Sequence, residues 1–259
     1  MTMRPPLFAA AVLATLFAWA PAHAAVPVLA VPVLAVPVLA VPVHIDATGL
    51  TFDSAASGRA ETLISDINGV ATFALPNAAD QLAFGSVSYG FLHQTYAGLF
   101  QLNTRAGYKI TGYSLSGEFG GTRTVQAVPD GLTGTVGTAA TRAALSIGAH
   151  LPDGSGLPTR SHSLADLNGS DGFTLSSGPL DHTGALALEL DGYTYGFGTP
   201  STWKDGNWSS TAPSTADVWL KDSLRLTVYT TAVPEPHSYA LMLAGLALVG
   251  GLARRRNKA

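Results

Sequence analysis

Hydrophobic and polar residues alternate with a period of two in several short runs in the middle of the chain. The runs cover residues 43–47, 81–89, 109–119, 185–191 and 223–230. This alternation is typical of strands that bury one face, and the glycine-rich segments between the runs favour turns. The pattern therefore predicts an all-β body, residues 44–231, folded as an antiparallel β-sandwich. Residues 141–149 are assigned to a further strand.

Two glycines and one longer segment refine the prediction of strands and turns. The alternation changes phase at Gly112, which indicates a β-bulge. Gly192 follows the run 185–191 and is expected to begin a turn. Residues 199–214 are rich in Gly, Ser, Thr and Asn and are expected to form an exposed loop.

The N-terminal end has a different pattern. Arg4 precedes an apolar run over residues 7–19, and Ala22-His23-Ala24 has the form of a cleavage site. These features predict a signal peptide, residues 1–24, that is cut before Ala25. We therefore expect export by the Sec machinery and processing by signal peptidase.

Residues 25–43 repeat the pentapeptide Ala-Val-Pro-Val-Leu. A proline at every fifth position prevents a helix and favours an extended, polyproline-like chain. Two interpretations stay open for this linker: a hydrophobic arm that docks on a neighbour or on the envelope, and a spacer without a selected role.

The C-terminal end consists of three parts. In Val233-Pro234-Glu235-Pro236 the prolines keep their neighbours extended. Residues 238–253 carry no charge and would span about 24 Å as a helix. The cluster Arg254, Arg255 and Arg256 is expected to stay on the cytoplasmic side. The order predicts a single transmembrane helix with the Pro-Glu-Pro segment outside the inner membrane.

This tail, residues 233–258, resembles the PEP-CTERM sorting signal of Gram-negative bacteria, which is also labelled the ice-binding protein C-terminal domain. The resemblance implies that a membrane-embedded exosortase recognises Pro234, Glu235 and Pro236 and cuts nearby. The protein would then pass from an inner-membrane intermediate to the cell surface or the extracellular matrix. Such proteins usually come from organisms that make an exopolysaccharide matrix.

Charge and cysteine content narrow the function classes. Residues 5–253 carry nine Lys and Arg residues against 17 Asp and Glu residues, a net charge of −8. An acidic body argues against nucleic acid as a partner. The chain has no cysteine, so disulfides and a cysteine nucleophile are excluded.

Aromatic residues are dense near the C-terminal end of the body. Trp203, Trp208 and Trp219 lie within 17 residues, and three further aromatic residues precede them: Tyr193, Tyr195 and Phe197. Exposed aromatic rings suit the apolar faces of sugars, so the three tryptophans are candidate glycan contacts. Packing in the core or in loops is the alternative.

A second candidate site is an oxygen-rich segment made of Asp166, Asn168, Ser170 and Asp171. Alternate oxygen ligands are typical of calcium loops, but the glycines are one place off that pattern, and a turn is the competing interpretation. The chain has no Gly-x-Ser-x-Gly or His-Glu-x-x-His motif, and we assign no catalytic residue and no cofactor.

The sequence thus predicts an exported, non-enzymatic protein that an exosortase sorts and that has a structural or adhesive role in an exopolysaccharide matrix. The alternative is a carbohydrate-binding module that uses the region Trp203–Trp219. A secreted hydrolase is a third hypothesis.

Overall fold

This computed structural model describes residues 41–56, 58–221, 223–233 and 241–248. All of them belong to Val38–Ala259, the second of the two units into which the chain divides. Within these residues there are fifteen strands and two helices: β1 (Val41–Asp46), β2 (Leu50–Ala56), β3 (Thr62–Ile67), β4 (Val70–Ala74), α1 (Pro76–Gln81), β5 (Gly90–Thr104), β6 (Tyr108–Thr124), β7 (Thr133–Thr135), β8 (Thr138–His150), β9 (Gly156–Ala165), β10 (Gly169–Ser176), β11 (Ala185–Thr199), β12 (Ser201–Asp205), β13 (Trp208–Ala212), β14 (Thr215–Leu220), β15 (Arg225–Ala232) and α2 (residues 241–248).

The strands form three sheets, in which neighbours are antiparallel. Sheet A has the order β1-β2-β5-β11-β8-β9, and sheet B has the order β10-β6-β15-β4-β3 with β14 also paired to β6. Sheet C is the small sheet β13-β12-β7. The prediction of an all-β body with antiparallel sheets is confirmed.

The core lies between the inner faces of sheets A and B. Its largest side chains are aromatic and aliphatic, and Phe52 of sheet A stacks on Phe73 of sheet B with ring centroids 4.5 Å apart. Alternate positions of each strand supply this core, for example Leu186, Leu188 and Leu190 on β11. The period-two pattern in the sequence therefore corresponds to one buried face per strand.

Several strand predictions are confirmed. Residues 109–119 lie within β6, and residues 141–149 lie within β8. The bulge is also present: Tyr229 of β15 pairs with Gly112 and Thr230 pairs with Ile110, so β6 has one extra residue at this point.

Residues 81–89 are not a strand. Pro76 begins helix α1, which ends at Gln81, and the chain that follows has one isolated bridge, between Val87 and Ala216. Leu82 and Val87 are buried against β11 without belonging to a strand ladder. The prediction of a strand over residues 81–89 is therefore wrong.

Two turn predictions are also wrong. Gly192 does not end its strand, because β11 continues through it to Thr199. Residues 199–214 are not a loop, since β12 and β13 pair over five residues and reverse at Gly206 and Asn207. Gly206 has a φ of 60°, the left-handed region that a tight hairpin turn requires.

The predicted terminal segments lie mostly outside the described residues. These are the signal peptide with its cleavage site at Ala22, Ala24 and Ala25, almost all of the repeat 25–43, the motif residues Pro234, Glu235 and Pro236, and the cluster Arg254–Arg256. In the described part of the chain, no helix combines the length and the apolar character needed to cross a membrane. The signal peptide and the transmembrane helix stay predictions.

Candidate functional site

The first candidate site is the junction between the body and the tail. Strand β15 pairs with β4 on one side and β6 on the other, so it is an internal strand of sheet B. Its last pair joins Ala232 to Tyr108, and the Val233 N–H then donates a hydrogen bond of 2.8 Å to the Gly107 carbonyl. The body therefore ends at Val233, directly before Pro234.

The second candidate site is a groove across the outer face of sheet A, formed by β5, β11, β8 and β9. It consists of two adjoining cavities of about 580 and 380 Å³ that share His93 and Tyr193 in their linings. We call this region the sheet A groove. Aromatic, hydroxyl and charged side chains share one surface in the sheet A groove.

The backbone of β11 explains why aromatic rings face outwards here. Along residues 192–198 the inward positions are Gly192, Thr194, Gly196 and Gly198. A Cβ atom at Gly196 would lie 2.7 Å from the Phe84 ring, and the Thr194 hydroxyl donates to the Leu82 carbonyl at 2.9 Å. The segment after α1 thus packs so closely beneath β11 that only small inward residues fit.

The aromatic half of the groove is lined by His93, Tyr193, Tyr195 and Phe197, and the register of β5 and β11 places Phe91 beside them on the same face. Phe91 stacks on Tyr195 with centroids 6.2 Å apart, and His93 lies 5.9 Å from Tyr193. Phe91 is 68% exposed and Tyr193 is 38% exposed. Ring faces and edges in this half are therefore accessible from solvent.

The other half of the groove is lined by small and hydroxyl-bearing side chains: Thr95, Ala97, Ala144, Ser146, Ser161 and Ser163. Asp191 stands among them, with Ala97 and Ser146 as its cross-strand neighbours. Burial, and then the neighbouring carboxylate of Glu189, raise the pKa of Asp191. This half offers hydrogen-bond donors and acceptors beside the aromatic platform.

The three predicted tryptophans do not form one site. Trp203 and Trp208 lie diagonally on the same face of the β12–β13 hairpin, where Trp208 is 80% exposed. Trp219 belongs to sheet B, and its indole covers Gly120 so closely that a Cβ there would be 2.5 Å from the ring. Their role as glycan contacts stays a prediction.

The oxygen-rich segment covers the connection from β9 to β10 and the start of β10, where Ser170 and Asp171 lie, and its side chains are directed to different partners. Asp166 forms an ion pair of 2.8 Å with Arg123, and Asp171 lies 2.6 Å from His162. Asn168 accepts the Arg123 N–H at 3.4 Å. Among the described residues, no group of three or more His, Asp or Glu side chains is arranged as metal ligands. The calcium hypothesis stays a prediction.

In the sequence, Tyr193, Tyr195 and Phe197 stand out only as neighbours of the tryptophans. The alternation of glycine with aromatic residues over residues 192–198 is a stronger signal for this face. His93, Asp191 and the serines of β9 could not be assigned, because only the strand pairing brings them together.

Comparisons with known proteins give one specific finding. No curated protein matches the chain. Two solved structures were found. The first is TmCBM61 in complex with beta-1,4-galactotriose, with 10% sequence identity and a TM-score of 0.21; the match covers 66% of this chain and 88% of the TmCBM61 chain. An arabinose-bound MgGH51 α-L-arabinofuranosidase, at 12% identity and a TM-score of 0.22, covers 68% of this chain and 23% of its own. At these scores neither likeness carries an argument about fold or function.

Residues 232–257 match the family model of the PEP-CTERM protein-sorting motif, which confirms the resemblance of the tail and identifies the chain as a carrier of this sorting signal.

Proposed function

We propose that the body of this protein is a non-catalytic, adhesive component of an extracellular polysaccharide matrix, and that it holds glycan chains in the sheet A groove. The PEP-CTERM motif implies export, a surface or extracellular location and an exosortase as the processing partner. The glycan-binding role is our inference from the geometry of the body.

The observation that carries this proposal is the outward orientation of three aromatic residues at alternate positions of one strand, Tyr193, Tyr195 and Phe197. Exposed aromatic clusters on a protein surface usually mark a binding site. Here the rings lie beside hydroxyl groups and a carboxylate, a combination that suits a ligand with apolar faces and polar edges. Sugar rings have both.

The same groove is less suited to a compact apolar ligand. Its floor contains Ser146, Ser161 and Ser163, whose hydroxyls need hydrogen-bond partners when a ligand displaces water. The two cavities follow each other along β11, from Phe197 to Asp191, on an exposed sheet face, so an extended chain fits along the length of the groove. These features favour a polysaccharide over an enclosed small molecule.

The C-terminal tail accounts for the delivery of the protein to the cell surface. We propose that Sec export and signal peptidase bring the chain across the inner membrane, and that residues 238–253 hold it there until the exosortase cuts near Glu235. Five peptide steps separate Val233, which is fixed to Gly107, from Ser238, a distance of at most about 18 Å. The enzyme therefore works close to the folded body.

The binding proposal is tested with the full chain, purified in detergent, against a panel of polysaccharides by isothermal titration calorimetry. We expect at least one glycan to bind, and Tyr193→Ala to weaken that binding about tenfold, since a buried aromatic contact contributes on the order of 1–3 kcal/mol. Tyr89→Ala is the matched control, because Tyr89 is 64% exposed and does not line the groove.

A third variant, Trp208→Ala, distinguishes the sheet A groove from the β12–β13 hairpin as the glycan-binding site. If Trp208→Ala abolishes glycan binding while Tyr193→Ala has no effect, the β12–β13 hairpin is the site and the sheet A groove is not. A panel on which the parent protein binds nothing would overturn the glycan-binding role altogether.

A further inference from the structure

The charges of the sheet A groove are separated along its length. Arg142 lines the smaller cavity, beside the aromatic rings, whereas Asp191 lines the larger one. Glu189 lies two residues from Asp191 on the same outward face of β11, and His150 lies 3.2 Å from the Glu189 carboxylate. The other titratable side chains that line the two cavities are His93, which both share, and the tyrosines Tyr96, Tyr193 and Tyr195.

Arg142 does not offset the charge of Asp191. Arg142 pairs with Tyr195, which is four residues from Asp191 along β11, so the backbone positions of Arg142 and Asp191 are about 13 Å apart. Burial and the Glu189 carboxylate raise the pKa of Asp191, and no cation is among the causes of that shift. The cross-strand neighbours of Asp191, Ala97 and Ser146, carry no charge. The larger cavity therefore presents a negative charge to whatever fills it.

We infer that the sheet A groove selects neutral polysaccharide chains and rejects those in which every sugar carries a carboxylate. This inference rests on the proposed glycan-binding function and names the ligand class of the same site. A polyuronate lying along the groove has to place a carboxylate beside Asp191 and Glu189, and like charges brought together on binding are unfavourable. A neutral chain places hydroxyls there instead, which both donate and accept hydrogen bonds.

The experiment compares each acidic polymer with its own carboxyl-reduced form, so that only the charge differs. Polygalacturonate, alginate and glucuronan, each before and after reduction, are titrated against the full chain at low salt. We expect the reduced form of any bound polymer to bind about tenfold more tightly than the acidic form. The difference should shrink as salt is added, because exposed charges are screened.

The variant Asp191→Asn tests the residue assigned to this selection. Its readout is the ratio of the two dissociation constants, acidic over reduced, which should fall severalfold towards one. Asp130→Asn is the control: Asp130 lies in the exposed loop between β6 and β7, and the same change of charge there should leave the ratio unaltered.

The outcomes of these titrations distinguish the selection by charge from the glycan-binding function itself. If acidic polymers bind as tightly as their reduced forms, the selection by charge is wrong while the glycan-binding function stands. If the ratio of the acidic to the reduced dissociation constant falls equally in Asp191→Asn and Asp130→Asn, the effect comes from net charge, and the role assigned to Asp191 is wrong. If acidic polymers bind and no reduced or neutral polymer does, this inference is wrong and the glycan-binding function stands; if no polymer of any kind binds, the proposed function fails, and this inference fails with it.

Discussion

At the scale of single residues, the glycines of β11 decide where the aromatic side chains point. The strand buries Leu186, Leu188 and Leu190 in its first half and then changes to glycine at the inward positions. A Cβ at Gly198 would lie 2.7 Å from the Ser214 carbonyl oxygen and 2.9 Å from the Val87 carbonyl oxygen. These neighbours are backbone atoms, which cannot move aside as a side chain can.

We therefore expect Gly198→Ala to lower the free energy of unfolding by about 2 kcal/mol, in the range of other overpacking substitutions. Thermal unfolding of the full chain, followed by circular dichroism, measures this change. Gly85→Ala is the control, because a Cβ at Gly85 meets nothing within 4 Å. Equal stabilities of the two variants would contradict the close packing beneath β11.

Two aspartates should respond to pH in opposite directions. The raised pKa of Asp191 means that its ionised form disfavours the folded state, so that stability is lost as pH rises from the unfolded pKa to the folded one. Hydrogen bonds from Ser155 lower the pKa of Asp153, which contributes stability that is lost as pH falls through the lowered value.

Asp191→Asn should accordingly raise the melting temperature at about pH 7, and Asp153→Asn should lower it, each on the order of 1 °C because both groups are solvated. The Asp191 difference should vanish near pH 3, where that carboxyl group is protonated, whereas the Asp153 difference should be lost only as pH falls through its lowered pKa. Melting curves at the two pH values measure this. A lower melting temperature for Asp191→Asn at neutral pH would contradict the assigned cause.

At the scale of elements, the sequence predicts strands well where a strand buries one regular face. The bulge at Gly112 was found because the alternation itself changes phase there. The prediction of a strand over residues 81–89 is wrong because packing against β11 buries Leu82 and Val87 without a strand ladder, and the local pattern does not distinguish the two cases. The pairing of β5 with β11, which creates the groove, joins residues about 90 positions apart and leaves no local signal.

Strand β15 is the element on which the end of the body depends. Its side chains Leu226 and Val228 are fully buried, and it lies between β4 and β6. A chain that ends at Val233 keeps all of these contacts, so we expect it to melt within about 2 °C of the full chain.

A chain that ends at Ser223 should fail to fold, since losing several buried side chains at about 2–5 kcal/mol each exceeds the usual stability of a domain. Circular dichroism and limited proteolysis of the two truncated chains measure the difference. A stably folded product of the shorter chain would contradict the placement of β15 inside sheet B.

At the scale of the whole molecule, the sorting tail and the folded body meet at Val233. The tail could be identified from sequence because its signal is local: a short motif, an apolar run and a basic cluster. The groove could not, because its residues come from four strands. The position of Val233, fixed by β6, sets the border between the two.

We expect Glu235→Ala to leave the unprocessed precursor in the membrane fraction of the native host, because the motif residue is then missing from the segment that the exosortase reads. Intact-mass measurement of the secreted and membrane-bound protein tests this. Asp130→Ala, in the body, is the control and should be processed normally. Release of the Glu235 variant with the mass of the parent would show that this residue is not read.

The glycan-binding proposal depends most on the sheet A groove being the surface that binds the glycan. Oxidative footprinting reports the solvent access of single aromatic side chains, and the chain offers two well-separated reporters, Tyr193 in the groove and Trp208 on the hairpin. With a bound neutral polysaccharide, we predict that oxidation of Tyr193 falls severalfold while that of Trp208 is unchanged. Protection of Trp208 with Tyr193 still fully reactive would contradict the account.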